Sequence, residues 1–188
     1  MARRRPSNPE SLWGGPATAL TAILGGAAAL RLVGIQYGLP YGSLLDPDEQ
    51  NVVPRAWRVV HGGGLDPHFF DWPTLVTYIV APFQAWEGGP SYLVARLVIV
   101  ALAVAGVAAA WWLGERAYGT SAGAVAAVVT AVESTHVATS HAAVTDVPLT
   151  TFVTIGLALL VMGRLEWAGA AIGIAAAEIG RASCRERG

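Results

Sequence analysis

Lysine is absent from this sequence, cysteine occurs once, and charged residues make up only 13% of the 188 positions. About a quarter of the residues are charged in an ordinary soluble domain, so that class of protein is not expected. The basic residues are all arginine and the formal net charge is −1, which leaves no basic surface of the kind that binds nucleic acid. The single cysteine, Cys184, excludes an internal disulfide framework.

Apolar residues, by contrast, form 54% of the chain and fall in blocks of about the length that crosses a membrane. The first block follows the basic start MARRRP and is longer than the apolar region of a signal peptide, so we expect it to remain as a span. The predicted fold class is all-α: a polytopic transmembrane helical bundle, with interfacial amphipathic helices in its first extracytoplasmic loop. The predicted spans are residues 17–35, 92–113, 122–138, 147–162 and an incomplete 168–177.

A long polar segment, Leu44 to Pro73, interrupts this pattern inside the predicted extracytoplasmic loop of residues 36–91. It contains five acidic residues, two arginines and two of the four histidines. Polar groups between membrane spans are costly unless they line water or a functional site. We therefore expect the functional site in this loop.

The side of the membrane on which the loop lies depends on a short segment, Pro73 to Trp86. Its 14 residues are too few to span comfortably, and segments of this length are more often interfacial or re-entrant. If the segment does not span, Arg116 and Arg164 fall on the same side as the arginines of the N-terminal tail, as the positive-inside rule requires. The rule then predicts that Asp48 and Asp146 share the extracytoplasmic face.

The sequence Asp46-Pro47-Asp48-Glu49 predicts the start of a helix over residues 47–61. Asp46 would be the N-cap, and Glu49, three residues later, would complete a capping box, with Pro47 at the first helical position. The helix has a valine-rich face and an arginine-bearing face, so it could lie flat on the membrane surface. Asp48 is not needed for the cap.

Asp48 is the acid in this segment that remains for chemistry. A carboxylate at the start of a surface helix could act as a general base on a hydroxyl or an amine. Arg55 and Arg58, one turn further along, could bind a phosphate bidentately. The alternative is a solvated, capped helix with no catalytic role.

A second acid, Asp146, precedes Pro148 at the start of a predicted span, where it could also serve as an N-cap. His136 and His141 lie on the approach to it, and Glu133 falls inside the preceding predicted span. These residues lack the spacing of a known metal site, so no cofactor is predicted and a divalent metal is the less favoured alternative. A rival function is a transporter or channel module in which Glu133, His136 and Asp146 form an ion path. The concentration of acids at the outer ends of the spans disfavours it.

The last residues, Glu178 to Gly188, break the apolar pattern abruptly. A ten-residue apolar helix followed by charged residues would be stranded partway across a bilayer, and GRASCRER resembles a recurrent contaminating end of truncated sequences. We expect residues 1–177 to be the N-terminal part of a larger protein and residues 178–188 to be a non-native tail. Cys184 then has no expected function.

Four segments of the chain resemble, in the same order, the N-terminal half-module of the C-type membrane glycosyltransferases. The nearest branch is the protein O-mannosyltransferase and aminoarabinose-transferase-like one, the phospholipid-carrier-dependent glycosyltransferases. The resemblance covers Leu30 to Met162. Its four segments are DPDEQNVVPRAW, DPHFFDWPTLVTYIVAPF, RLVIVALAVAGVAAAWWLGERAYG and ESTHVATSHAAVTDVPLTTF.

The resemblance implies roles for particular residues. Asp48 and Glu49 match an Asp-Glu pair in the family's first extracytoplasmic loop, with the Asp as catalytic base, and Asp146 matches a second acid that is followed by Pro. Trp72 stands where many relatives have a lysine that is implied to touch the lipid phosphate. The donor must then be bound by other residues, for which the candidates are Arg55, Arg58, His68 and His141.

The reaction implied by the resemblance is the inverting transfer of a sugar from a polyprenyl-phosphate carrier to an acceptor on the extracytoplasmic face. Asp48 would deprotonate the acceptor while the sugar leaves the lipid phosphate. The implied partners are the polyprenyl-phosphate-linked sugar and the lipid bilayer, with no resident metal. The implied location is the plasma membrane, as a multi-pass protein of the bacterial inner-membrane type. This fragment alone is expected to be inactive.

Overall fold

The computed structural model describes residues 15–39, 47–68 and 73–178. The expectations for the N-terminal arginines, Asp46, Trp72 and Cys184 lie outside these residues, as does all of the expected non-native tail except Glu178. Within the described ranges the regular secondary structure is entirely helical, which agrees with the predicted all-α class.

Eight α-helices make up the described structure, and the helices expected in each apolar block are present. Their bounds are α1 Pro16–Leu32, α2 Glu49–Val60, α3 Leu75–Val80 with a 3₁₀ continuation Ala81–Gln84, α4 Tyr92–Tyr118, α5 Thr120–Val132, α6 Ser134–Thr139, α7 Asp146–Val161 and α8 Leu165–Ala176.

Helix α4 is, in the described part of the chain, the one helix long and apolar enough to cross a membrane by length and composition. Its 27 residues would extend about 40 Å at 1.5 Å per residue. The other helices that match predicted spans, α1, α5, α7 and α8, have 12 to 17 residues. One apolar helix supports the membrane class but does not by itself give the number of spans.

Helix α4 is also the centre of the packing, since it contacts α1, α5 and α7, and α8 packs on α7. Small residues allow the close approach of α4 and α5. A Cβ added to Gly123 would lie 2.7 Å from the carbonyl oxygen of Trp111, and one added to Gly106 would lie 2.8 Å from Oγ1 of Thr151 on α7. Glycine is therefore required at both contacts.

Many of the buried apolar residues belong to two core clusters. The first core cluster joins α2, α3, α4 and the start of α7, and it includes Val53, Val76, Ile99 and Val147. The second core cluster joins α1, α4 and α5: Ala27, Val107, Trp111, Ala127 and Ala131. Each cluster has a buried arginine beside it, Arg96 in the first case and Arg31 in the second.

Helix α2 differs from the prediction in its start and in what covers its apolar face. It begins at Glu49 with Asp48 as the N-cap residue, and the Asp48 side chain makes no capping bond. The helix thus starts two residues later than the predicted start at Pro47. The Glu49 carboxylate, predicted to complete a capping box with Asp46, binds Arg96 and the backbone N–H of Ala143, and Asp46 lies outside the described residues. The buried valines Val52 and Val53 pack into the first core cluster, so protein covers this part of the face, whereas Val60 is 38% exposed.

Helix α5 ends earlier than predicted, because the chain breaks at Glu133. The Glu133 carboxylate accepts hydrogen bonds from the backbone N–H groups of Thr135, at 3.0 Å, and His136, at 2.6 Å. It thereby caps the short helix α6, as an acid at an N-cap does. The placement of Glu133 inside a continuous span was therefore wrong, and its side chain is exposed at a helix junction.

Candidate active site

An open cleft of about 420 Å³ lies where the starts of two helices meet a third. Asp48 contributes from the N-cap of α2, and Thr145 and Asp146 contribute from the start of α7. Helix α6 and the connection after it form the remaining wall, through Ala138, Thr139, Ala142 and Val144. The structure thus brings together the two acids that the sequence singled out in separate segments.

Two helix N-termini converge on this cleft, since Asp48 occupies the N-cap position of α2 and Asp146 is the first residue of α7. The N-terminal end of a helix carries a partial positive charge and free N–H groups, so it favours an anionic group nearby. Asp146 is exposed and Asp48 is half-buried. The arrangement therefore presents two carboxylates to a space that a ligand can enter.

Glu49, the neighbour of Asp48, has a different environment. Its side chain is 0% exposed and its two carboxylate oxygens accept hydrogen bonds from Nε and Nη2 of Arg96, at 2.8 and 2.7 Å. The backbone N–H of Ala143 donates to the same carboxylate at 2.8 Å. Glu49 does not line the cleft, so in this arrangement it contacts protein groups and not a substrate.

The Glu49–Arg96 pair links the two sides of the cleft. Glu49 directly follows Asp48, and Ala143 lies between two residues of the opposite wall. Nη1 of Arg96 also donates to the carbonyl oxygens of Ile35 and Tyr37, both at 2.9 Å. Removing one partner of a buried ion pair costs roughly 3–5 kcal/mol of folding stability. We therefore expect this pair to fix the position of Asp48.

The candidate phosphate-binding arginines lie next to the cleft. Nη1 of Arg55 donates to the backbone oxygen of Asn51 at 2.7 Å and to its side-chain oxygen at 3.3 Å. Burial, and then the nearby positive charge of Arg58, lower the pKa of Arg55 from its ordinary value. Arg55 and Arg58 line one shallow pocket together with Asp66, and Arg58 is exposed.

A small cavity beside Arg55 shares one lining residue with the cleft. It has a volume of about 10 Å³ and is lined by Arg55, Asn51, Thr77 and Thr145, among others, which is about the space of one water molecule. Thr145 lines both this cavity and the cleft. Arg55 and the two acids thus line neighbouring spaces that share Thr145.

The two histidines considered as donor-binding residues do not line the cleft or the arginine pocket. His68 has a positive φ of 51°, its backbone N–H donates to Asp66 at 2.8 Å, and its ring lies 3.5 Å from the same carboxylate. The ring nitrogens of His141 face the carbonyl oxygens of Val137, at 2.8 Å, and Val33, at 2.9 Å. His141 therefore joins two parts of the protein.

The residues of the alternative ion path, Glu133, His136 and Asp146, each have a defined contact or location in the structure. Glu133 caps α6, as described above, and Nδ1 of His136 lies 2.9 Å from Nη2 of Arg31. Asp146 lines the cleft with Asp48. Among residues 15–39, 47–68 and 73–178, no group of three or more His, Cys, Asp or Glu side chains is arranged to hold a metal ion.

Several residues of this site were missed by sequence reasoning. Arg96 lies in the first turns of an otherwise apolar helix, and a charged residue inside a span is a signal of function or of a buried partner. Arg31, near the end of the first predicted span, is likewise a charged residue in an apolar helix, and it is 0% exposed. Thr139 and Thr145 carried no local signal, because their place in the cleft depends on tertiary packing.

Comparison with known proteins supplies the family. Residues 57–180, which are 124 of the 188, match the family model described as dolichyl-phosphate-mannose-protein mannosyltransferase. The match includes Asp146 and begins after Asp48 and Glu49. No curated protein matches the chain, and no solved structure matches it. The resemblance to the protein O-mannosyltransferase branch of the membrane glycosyltransferases is confirmed, and the chain belongs to the dolichyl-phosphate-mannose-protein mannosyltransferase family.

Proposed function

We propose that this chain is the N-terminal part of a membrane enzyme that transfers a sugar, mannose by the family's description, from a polyprenyl-phosphate carrier to an acceptor. The observation that carries the proposal is the cleft in which Asp48 and Asp146 meet. Family membership supports the reaction class, and the cleft supplies acids in a position to perform it. Residues 178–188 are proposed to take no part.

Asp48 is proposed as the general base. The acceptor hydroxyl loses its proton to Asp48 while its oxygen forms a bond to the anomeric carbon, and the bond from that carbon to the phosphate oxygen breaks. The products are the glycosylated acceptor and the polyprenyl phosphate. Attack on the face opposite the leaving phosphate inverts the anomeric configuration, and one base is sufficient for this single displacement.

Asp146 is proposed to orient the acceptor or the sugar from the other side of the cleft. Its position at the first residue of α7 keeps it close to the N-terminal end of that helix, and it is exposed to the cleft. A carboxylate accepts hydrogen bonds only, so it would bind sugar or acceptor hydroxyl groups. Proton transfer is left to Asp48.

Arg55 and Arg58 are proposed to bind the lipid phosphate. They line a common pocket, and a guanidinium group matches the geometry of a phosphate. Arg55 and Thr145 line the same small cavity, and Thr145 also lines the cleft. A phosphate bound by these arginines would place the attached sugar on the side of Thr145 that faces the cleft.

The topology is part of the proposal. We propose that α4 spans the membrane together with α1, α5 and α7, of which α1 and α7, at 16 to 17 residues, would extend about 24–26 Å, and that α3 lies at the interface. Arg116 and Arg164 then share the cytoplasmic side, and the cleft faces the extracytoplasmic side of the plasma membrane. Lipid-linked sugars would reach the cleft from the bilayer.

The test is sugar transfer in membranes that contain the full-length product of the gene. Radiolabelled polyprenyl-phosphate mannose is the donor, and wild type is compared with Asp48→Asn. We expect the variant to lose at least about 100-fold in transfer rate, the usual contribution of a general base, while insertion into the membrane is unchanged. The matched control is Glu166→Gln, which neutralises an exposed acid in the first turn of α8.

Full transfer activity in Asp48→Asn would remove the proposed base and move attention to Asp146. Equal losses in Asp48→Asn and Glu166→Gln would indicate a general effect of charge. The proposal requires a loss in the first variant and near-normal transfer in the second.

A further inference from the structure

Helix α6 forms a wall of the cleft without an apolar anchor of its own. It has six residues, Ser134–Thr139, and none of them is buried. A helix this short is unstable in isolation, because nucleation is unfavourable and few hydrogen bonds follow it. The position of its cleft-lining residues, Ala138 and Thr139, therefore depends on polar contacts made around it.

Arg31 makes the most extensive of these contacts. It is 0% exposed, and Nη1 donates to the carbonyl oxygens of Ala131, at 2.9 Å, and of Ala27 in its own helix, at 3.1 Å. Nη2 donates to Thr130 at 3.2 Å and lies 2.9 Å from Nδ1 of His136. One side chain thus joins α1, the C-terminal end of α5 and α6.

His136 must be the acceptor in its contact with Arg31, because a guanidinium group has no acceptor. Its ring therefore has Nδ1 unprotonated and is neutral in this arrangement. Burial and the charge of Arg31 lower the pKa of His136, with Glu133 acting in the opposite direction. The hydrogen-bond geometry and the lowered pKa therefore both indicate that His136 is neutral when it binds Arg31.

A second contact lies next to the first. His141 lies two residues beyond α6, and one of its ring nitrogens is 2.8 Å from the carbonyl oxygen of Val137 in α6 while the other is 2.9 Å from that of Val33, the residue after α1. The middle of α6 is thus connected to the C-terminal end of α1 at two adjacent residues, His136 and Val137.

We propose that the end of α1 positions the α6 wall of the cleft, with Arg31 as a positioning residue for sugar transfer through His136. His141 gives the second point of support, in place of the donor-binding role expected for it. This inference rests on the proposed function, since it assigns the wall to that same site. Arg31 itself does not contact the cleft.

The first experiment measures kcat and KM for the mannosyl donor in membranes with the full-length protein, per amount of inserted protein. Arg31→Gln should raise KM about 10-fold or more while kcat changes less than about 3-fold, because the wall moves and the base does not. His136→Ala should change KM in the same direction. His136→Gln should restore the wild-type KM, because an amide oxygen accepts the hydrogen bond from Arg31.

The matched control is Arg116→Gln, which neutralises an exposed arginine at the end of α4. It should leave KM unchanged. A structural role alone would lower the amount of inserted protein in Arg31→Gln and leave KM at its wild-type value, and that result would overturn the proposal.

The second experiment has a readout that does not depend on transfer. Thr139→Cys is introduced into a protein with no other cysteine, and the rate of its modification by a maleimide is measured. Arg31→Gln should increase this rate at least about 3-fold by loosening α6, and Arg116→Gln should not. If wild type transfers no sugar, the proposed function is wrong. Equal labelling rates in Arg31→Gln and Arg116→Gln would separately overturn the role of Arg31.

Discussion

The two core clusters each have a buried arginine, and the two arginines are compensated in different ways. Arg96, beside the first core cluster, binds the buried carboxylate of Glu49 with two charge-assisted hydrogen bonds. Arg31, beside the second, faces carbonyl oxygens and a histidine, and its Nε has no partner among the described residues. A charge pair thus secures the side of the cleft that carries Asp48, and neutral groups secure the side formed by α6.

The comparison implies that the two walls of the cleft differ in rigidity. Removing one partner of a buried ion pair with good geometry strongly destabilises the folded protein. Each hydrogen bond to a neutral group contributes only roughly 0.5–1.5 kcal/mol to its stability. We therefore expect the wall that carries the proposed base to be firmly fixed. The α6 wall is expected to adjust more readily to a substrate.

The largest expected effect is on the charge pair. Glu49→Gln leaves Arg96 buried without its counter-ion and should lower the free energy of unfolding by about 3–5 kcal/mol. Thermal unfolding of the full-length protein in detergent measures this change. The double variant with Arg96→Met should recover part of the loss, since it removes the uncompensated charge. A loss no greater than that in Glu166→Gln would contradict the assigned role of the pair.

A smaller effect is expected at the other arginine. Arg31→Met removes hydrogen bonds to neutral groups but also removes a buried charge that has no counter-ion among the described residues, so the net cost should be about 1–2 kcal/mol. The same unfolding measurement applies. If Arg31→Met lowers the free energy of unfolding by more than Glu49→Gln does, the expected difference in rigidity between the two walls is wrong.

The smallest effect concerns pH. Since burial and Arg31 lower the pKa of His136, the folded protein binds fewer protons at this ring than the unfolded chain does. The neutral His136 ring therefore contributes its full stabilisation at pH values above about 6.5, the pKa of histidine in the unfolded chain. This contribution is lost as the pH falls below that value. Comparing Tm at neutral and acidic pH in wild type and in His136→Gln isolates this residue. An identical pH dependence in both would exclude its contribution.

Much of the helical organisation could be predicted from apolar block lengths, because the period and length of an apolar helix are local properties. The break at Glu133 was not predicted, because the Ala- and Val-rich segment that precedes it carries no local signal of a helix end. The packing of α2 into the first core cluster was not predicted either, since an amphipathic face shows that something apolar covers it but not whether that is lipid or protein.

The site was accessible to sequence reasoning only in part. Asp48 and Asp146 were found because acids at helix starts beside apolar segments are conspicuous, and the resemblance added their expected roles. The partnership of Glu49 with Arg96 joins residues 47 positions apart, and that of Arg31 with His136 joins residues 105 apart. No local pattern encodes either pairing, so both required the folded chain.

The measurement that tests the central claim most directly is protection of the cleft by the donor. Ala142, a small residue that lines the cleft, is replaced by cysteine in a full-length protein with no other cysteine, and maleimide labelling is followed with and without polyprenyl-phosphate mannose. The account predicts that saturating donor slows labelling by about 10-fold or more, as occupancy of the site requires, while the polyprenol alone does not. Labelling at an unchanged rate while transfer proceeds would contradict the assignment of this cleft as the site of reaction.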